Sequence, residues 1–204
     1  MKIIVTTSDN YHHLLPVFFK LYERHWGDPM ELVGYKKPDN LPNYVTWVSL
    51  GEQRGPQYFT EDLCKYFEKQ PYWFVWMMED TFFKGIDKSR LTPFIYSGEN
   101  DDLHIGKICL TRESMNRETE PFVKGWHKVS QTAKYRLSSQ PAIWNRTFLV
   151  TSMMGRSLNP WEWETQDPMN DGWDILVPEI NIVSHNEGVT KHDIHKLNLN
   201  GITL

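Results

Sequence analysis

Seven consecutive residues, Tyr72-Trp73-Phe74-Val75-Trp76-Met77-Met78, are apolar, and the run stops abruptly at Glu79-Asp80. A strand turns successive side chains to opposite faces, so a run apolar at both odd and even positions is buried on both sides. Only a central strand with a layer on each face meets that demand. The run therefore predicts an α/β protein whose sheet is covered by helices, and it places two carboxylates at the strand's carboxyl end.

The residues before it agree. Lys2 to Thr7 is a β-branched run that reads as a first strand. Ser8 or Asp9 can cap the helix after it. Tyr11, Leu14, Leu15, Phe18, Leu21, Tyr22, His25 and Trp26 recur at three- and four-residue steps, which makes a helix face. Pro16 delays the regular helix to about Leu15, and Gly27-Asp28-Pro29 ends it. Met30 to Tyr35 and Val45 to Leu50 read as further strands, and Thr60 to Glu68 as a helix with Thr60 as its N-cap. Strands alternating with helices favour an open, mainly parallel sheet, and ligands of such sheets gather at the strands' carboxyl ends. Two of those ends are polar here, Thr6 to Asp9 and Glu79 to Thr81.

The second half is less regular. His104 to Leu110 and Tyr135 to Ser138 read as strands, and Arg112 to Pro121 equally as a charged loop over a site or an ordinary solvated surface loop. Asn145 to Met154 reads as a capped helix, and Ile175 to Ser184 as a closing strand interrupted by Pro178. No repeat or linker divides the chain, so 1–204 is expected to form one domain.

The 204 residues carry a formal charge of −4, so no global basic footprint marks the chain as a nucleic-acid binder. Two cysteines, Cys64 and Cys109, make no disulfide framework or metal spacing, and a reducing cytoplasm is the simplest setting. No apolar stretch is long enough to span a bilayer. Nine Trp, nine Tyr and ten Phe are many for this length. Most should fill the core, but flat ligands such as bases and sugars also stack on such rings. Walker, dinucleotide-glycine, nucleophile-elbow and zinc patterns are all missing, which removes several enzyme classes.

Three segments could carry chemistry. Glu79-Asp80 is costly beside an apolar run unless offset, and a divalent cation held by oxygen ligands would offset it. The pair also reads as an ordinary acidic strand end. Thr6-Thr7-Ser8-Asp9 could hydrogen-bond a base or ribose, or could simply cap a helix. Gln140-Pro141-Ala142-Ile143-Trp144, followed by Trp161-Glu162-Trp163-Glu164, could stack a sugar and accept a proton from an attacking hydroxyl. It could equally be a Trp-anchored corner with solvated acids. His185 could add a metal ligand, and Arg54 and Lys191, with His192, could touch phosphates. For His192 and His195 the neutral surface reading is preferred.

Taken together these residues resemble a family of small bacterial and phage glycosyltransferases. The opening Ser8-Asp9-Asn10-Tyr11 with Leu15-Pro16-Val17-Phe18, the acidic pair in Glu79-Asp80-Thr81-Phe82-Phe83, and Gln140-Pro141-Ala142-Ile143-Trp144 with Trp161-Glu162-Trp163-Glu164 occur in the family's order. The family's usual Asp-Asp reads Glu79-Asp80, which leaves open which of the two would bind metal. The resemblance implies a GT-A, Rossmann-like fold, a donor such as a UDP-sugar, and Mn2+ or Mg2+ at Asp80, to which His185, at the end of a predicted strand, is the candidate added ligand. It implies Glu164 as the base of an inverting transfer. Donor contacts would come from Thr6, Thr7, Ser8, Asp9, Tyr11, Arg54, Glu79 and Lys191, and acceptor contacts from Gln140, Trp144, Trp161 and Trp163. Two acceptors fit: a hydroxymethylated base in phage DNA, or a saccharide of a surface glycan. A non-catalytic sugar- or nucleotide-binding module is the competing reading.

Overall fold

The computed structural model describes residues 1–91, 104–112, 118–166 and 170–185. Its strands are β1 Lys2–Thr6, β2 Met30–Gly34, β3 Val45–Ser49, β4 Trp73–Met78, β5 Gly85–Ile86, β6 Ile105–Cys109, β7 Thr119–Val123, β8 Trp126–Val129, β9 Ala142–Asn145, β10 Asp174–Pro178 and β11 Val183–Ser184. The α-helices are α1 Leu15–His25, α2 Phe59–Phe67, α3 Arg146–Met153 and α4 Pro160–Thr165.

Among the described residues one nine-stranded sheet runs β3-β2-β1-β4-β9-β6-β10-β8-β7. The pairings β3-β2, β2-β1, β1-β4 and β6-β10 are parallel. The strand β9 is antiparallel to both its neighbours, and β8 to both of its own. All strands but β9 and β8 therefore point one way, and the sheet is mainly parallel.

The apolar run at 73–78 sits inside the sheet, between β1 and β9. Val75 and Met77 join Ile3, Val5 and Leu32 under α1, which adds Phe18, Leu21 and Tyr22. Phe74 and Trp76 face the other way, with Ile4 and Val33, toward Leu63 and Phe67 of α2 and Phe148 and Met153 of α3. Each alternate set meets its own helical layer, as burial on both faces requires. On the α2 side Gly106 of β6 lets the Phe148 ring of α3 lie directly against the strand, since a Cβ there would fall inside the ring's van der Waals surface.

Four local expectations change. Thr60 does not cap α2: the helix starts at Phe59, and the buried Thr60 hydroxyl donates to the Arg156 carbonyl (2.6 Å) and accepts from the Leu158 amide (3.0 Å). Residues 134–137 form turns, and tertiary partners hold the segment in place of a strand neighbour: Asp171 and the Trp173 carbonyl take Arg136, while Lys107 and Glu164 bond the Ser138 carbonyl and Ser139 just after it. Of the charged stretch Arg112 to Pro121, the described part from Thr119 is strand β7, and Pro121 is tolerated there because β7 has one neighbour only. Ser8 precedes a 3-10 turn, Asp9–Leu14, without capping it, while Asp9 Oδ1 accepts the Lys36 amide at 3.0 Å. Asn145 does cap α3, its Oδ1 accepting the Thr147 and Phe148 amides. No helix of the described residues is long and apolar enough to cross a membrane.

Candidate functional site

The chain leaves β1 through α1 to reach β2 on one side, and leaves β3 through α2 to reach β4 on the other. The two connections cover opposite faces. They part between the carboxyl ends of β1 and β4, and a crevice must open at such a switch point. A cleft of about 440 Å³ lies there, within the span of roughly 300–1,000 Å³ common for small-molecule sites.

The floor is made by strand ends. The Thr7 amide donates to the Val33 carbonyl (2.9 Å) and the Glu79 amide to the Thr6 carbonyl (3.2 Å), so the ladders run one step past the strands. The close approach of Thr7 to β2 needs Gly34, where a Cβ would stand 2.9 Å from the Thr7 carbonyl oxygen. Glu79 is 1% exposed, and Asp80 and Thr81 come next along the cleft wall.

One wall comes from Tyr35, Gln53 and the start of α2. Tyr35 donates to Asp62 Oδ2 (3.1 Å), and Asp62 is also paired with Arg54, which reaches Glu61 at 3.2 Å. Burial first, then the Asp62 carboxylate, pushes the Tyr35 phenol well above its usual value. The hydrogen bond from Ser157, ahead of that from Arg54, holds the Glu61 carboxyl below the usual carboxylate range.

The rest of the lining includes Ser139 and Gln140, ahead of β9, and α4. Asn159 caps α4 with a reciprocal box, its Oδ1 accepting the Glu162 amide while Glu162 accepts the Asn159 amide, each at 2.9 Å. The helix then presents Trp161 and Glu164, three residues apart, on one face and Trp163 on another. Trp161 is 59% exposed at the cleft rim, whereas Trp163 is fully buried with its indole N–H on Ser152 Oγ (3.2 Å). Glu164 Oε1 accepts the Ser139 amide (2.5 Å) and the Ser139 hydroxyl.

Of the residues singled out in the sequence, Thr6, Thr7, Ser8, Tyr11, Glu79, Asp80, Gln140, Trp161 and Glu164 come together around this cleft. Trp144 does not: it is buried in β9 against Trp76, Trp163 and Phe148. Trp163 is core as well. Arg54 turns away to its carboxylate partners and lines a neighbouring hollow, and Asp9 is engaged by the Lys36 amide. His185 comes directly after β11, 6% exposed, and does not line the cleft. Lys191, His192 and His195 lie outside the described residues. Tyr35, Gln53 and Ser139 carry no sequence signal of their own, whereas the 161/164 spacing does separate Trp161 from Trp163.

Among the described residues, three carboxylates line the cleft and no lysine, arginine or histidine does. Nor do three described His, Cys, Asp or Glu side chains cluster as a metal cage. Glu79 and Asp80, adjacent in the chain, are the lining carboxylates that could take part in holding a cation completed by ligand oxygens and water.

No protein-family model and no curated protein sequence matches the chain. Among solved structures it is similar to an active-site mutant of LgtC (13% identity, TM-score 0.43, 74% of this chain and 59% of that one). It is similar to the galactosyltransferase LgtC in complex with donor and acceptor sugar analogues (14%, TM-score 0.46, 83% and 66%). A cytidylyltransferase from Leptospira borgpetersenii is also similar (8%, TM-score 0.44, 98% and 94%). The chain spans about three fifths to two thirds of the length of the two LgtC chains.

Proposed function

We propose that the chain is a metal-dependent glycosyltransferase that moves a sugar from a nucleotide donor to a hydroxyl acceptor. The observation that carries this reading is the meeting, on the lining of one switch-point cleft, of the Glu79-Asp80 pair with Glu164 and the exposed Trp161. A donor diphosphate cannot enter among three carboxylates without a cation. Glu79 and Asp80 are the side chains to hold Mn2+ or Mg2+, which when bound would neutralise the diphosphate and the charge that builds on it as it leaves.

Thr6, Thr7, Ser8, Tyr11 and Tyr35 offer hydroxyls and rings to the nucleoside. Trp161 offers an apolar face to the acceptor, with Gln140 beside it. In the transfer the acceptor oxygen forms a bond to the anomeric carbon as the bond from that carbon to the diphosphate oxygen breaks. The electron pair leaves with the nucleoside diphosphate, and the acceptor's proton passes to Glu164. A flat acceptor face suits either a saccharide or a hydroxymethylated base, and the latter must leave its stack to reach the cleft.

A mass-spectrometric screen of nucleotide sugars, with and without manganese, tests this. Metal-dependent donor consumption that Asp80→Ala abolishes is expected. Donor binding without consumption, under every metal condition, would instead favour the non-catalytic module. Hydroxymethylated duplex and oligosaccharide acceptors in parallel reactions separate the two acceptor classes.

A further inference from the structure

Lys107 lies in the middle of β6, opposite Trp144 of β9, and is fully buried. An ammonium in that position is expensive. Its Nζ donates to the Ser138 carbonyl at 2.5 Å and stands 4.5 Å from the centroid of the Trp144 ring. These contacts are part of what offsets the burial.

The accepting carbonyl lies one peptide away from the cleft wall. The Ser138 C=O and the Ser139 N–H are the two ends of a single peptide group. Resonance holds that group planar and, in the trans form found here, points its two ends in opposite directions. One end accepts from Lys107. The other donates to Glu164 Oε1 at 2.5 Å, and the Ser139 hydroxyl adds a second bond to the same oxygen. A positive charge at the carbonyl end polarises the peptide and strengthens its N–H as a donor. The linkage therefore runs from a buried cation, through one peptide, to the carboxylate on the cleft wall.

We infer that Lys107 is a positioning residue that sets the orientation of Glu164 through the Ser138–Ser139 peptide. It touches no substrate. It keeps the turn before β9 from rotating, and so keeps the carboxylate of α4 aimed at the cleft. Arg136, in the same turn, donates to Asp171 (3.1 Å) and to the Trp173 carbonyl, which ties the turn down at a second point.

The inference rests on the transferase reading for its kinetic consequence but not for its structural one, and the test uses both. The Ser139 amide proton, held by a carboxylate at short range, should resonate far downfield in wild type. Glu164→Gln should move it upfield and so assign it. Lys107→Met should move it upfield too, whereas Ile3→Val, a core change under α1, should leave it in place. In turnover, Lys107→Met should lower kcat about 10- to 100-fold, as small misplacements of a reacting group do, with the donor KM changed less than about threefold. Lys107→Gln, neutral but polar, is the second variant should Lys107→Met not fold, and a smaller displacement in the same direction is expected.

An amide resonance that stays put in a folded Lys107 variant while moving in Glu164→Gln overturns the inference. So does a rise in KM with kcat intact. If wild type turns over no donor but the resonance responds as described, the transferase reading fails and the coupling of Lys107 to Glu164 stands.

Discussion

Tyr35 donates its phenolic hydrogen to Asp62 at 3.1 Å, and the same carboxylate holds the Arg54 guanidinium on its other side. Asp62 thus binds a cleft wall to the first turn of α2. Asp62→Ala leaves the part-buried phenol without its acceptor and leaves Arg54, among the described residues, with only Glu61 and the Tyr58 ring. A loss of about 1–3 kcal/mol is expected, as for other buried donors deprived of a partner. Urea unfolding followed by circular dichroism reads it. Asp62→Asn, which still accepts from Tyr35, should cost less.

Glu164→Gln separates proton acceptance from packing. The amide oxygen of glutamine can still accept from Ser139, so the fold and the α4 cap are retained. What disappears is the basic oxygen. Turnover should fall roughly 10²- to 10⁴-fold, the usual worth of a general base, with little change in donor KM or in thermal stability. Donor-consumption kinetics beside a melting curve make the comparison. Unchanged turnover would remove Glu164 from the reaction.

The first eighty residues were legible because their signals are local. Each strand up to Met78 is a run whose burial pattern needs no partner to be read, and α1 repeats its apolar face for three turns. The elements after Leu110 depend on distant residues. Strand β7 looks like a charged loop because an edge strand has little apolar demand, and the turn at 134–139 is fixed from outside itself, by Lys107 on the Ser138 carbonyl, Asp171 on Arg136 and Glu164 on Ser139. The cleft was legible where it is made of strand ends, at Thr6 to Ser8 and Glu79 to Thr81. It was not where packing decides. Trp144 and Trp161 carry the same ring, and only the layer against β4 sends one to the core and the other to the rim. Arg54 is basic and sits in a glycine-containing loop, yet Asp62 and Glu61, on the next helix, take its charge.

Four phenols set an alkaline limit to stability. Burial, with the Glu23 carboxylate adding to it, pushes Tyr44 up to about 12. Burial likewise raises Tyr22, Tyr35 and Tyr66 further. An unfolded phenol ionises near 10.0. Below that value both states are neutral, and the benefit of burying the phenols is fully present. Above it the unfolded chain releases protons that the native state retains, so stability falls as pH rises through the folded values. A titration from about pH 9 upward should show tyrosinate absorbance and loss of circular dichroism rising together, later than free tyrosine. Tyr66→Phe should shift the transition to higher pH. Independent ionisation of all nine tyrosines near the free value, with the fold intact, would contradict the burial of these four.

On the proposed reading, the charge of the cleft would make cation and nucleotide depend on each other. Glu79, Asp80 and Glu164 share one cavity with no described cationic side chain on its lining, so a diphosphate alone meets repulsion, and a cation alone finds at most two close carboxylate ligands. Each ligand supplies what the other lacks, and such coupling is reciprocal. Manganese alone and a nucleoside diphosphate alone should each leave the melting temperature nearly unchanged. Both together should raise it, by an amount equivalent to about 2.7 kcal/mol at a hundredfold excess over the dissociation constant. Asp80→Asn removes one anionic ligand while keeping the side chain's volume, and should abolish the joint effect; Glu79→Gln shows which of the adjacent carboxylates carries more of it. Chelation should reverse the shift in wild type. A nucleoside diphosphate that stabilises the protein equally well in EDTA would mean that its charge is met elsewhere, and would separate the acidic strand end from the donor.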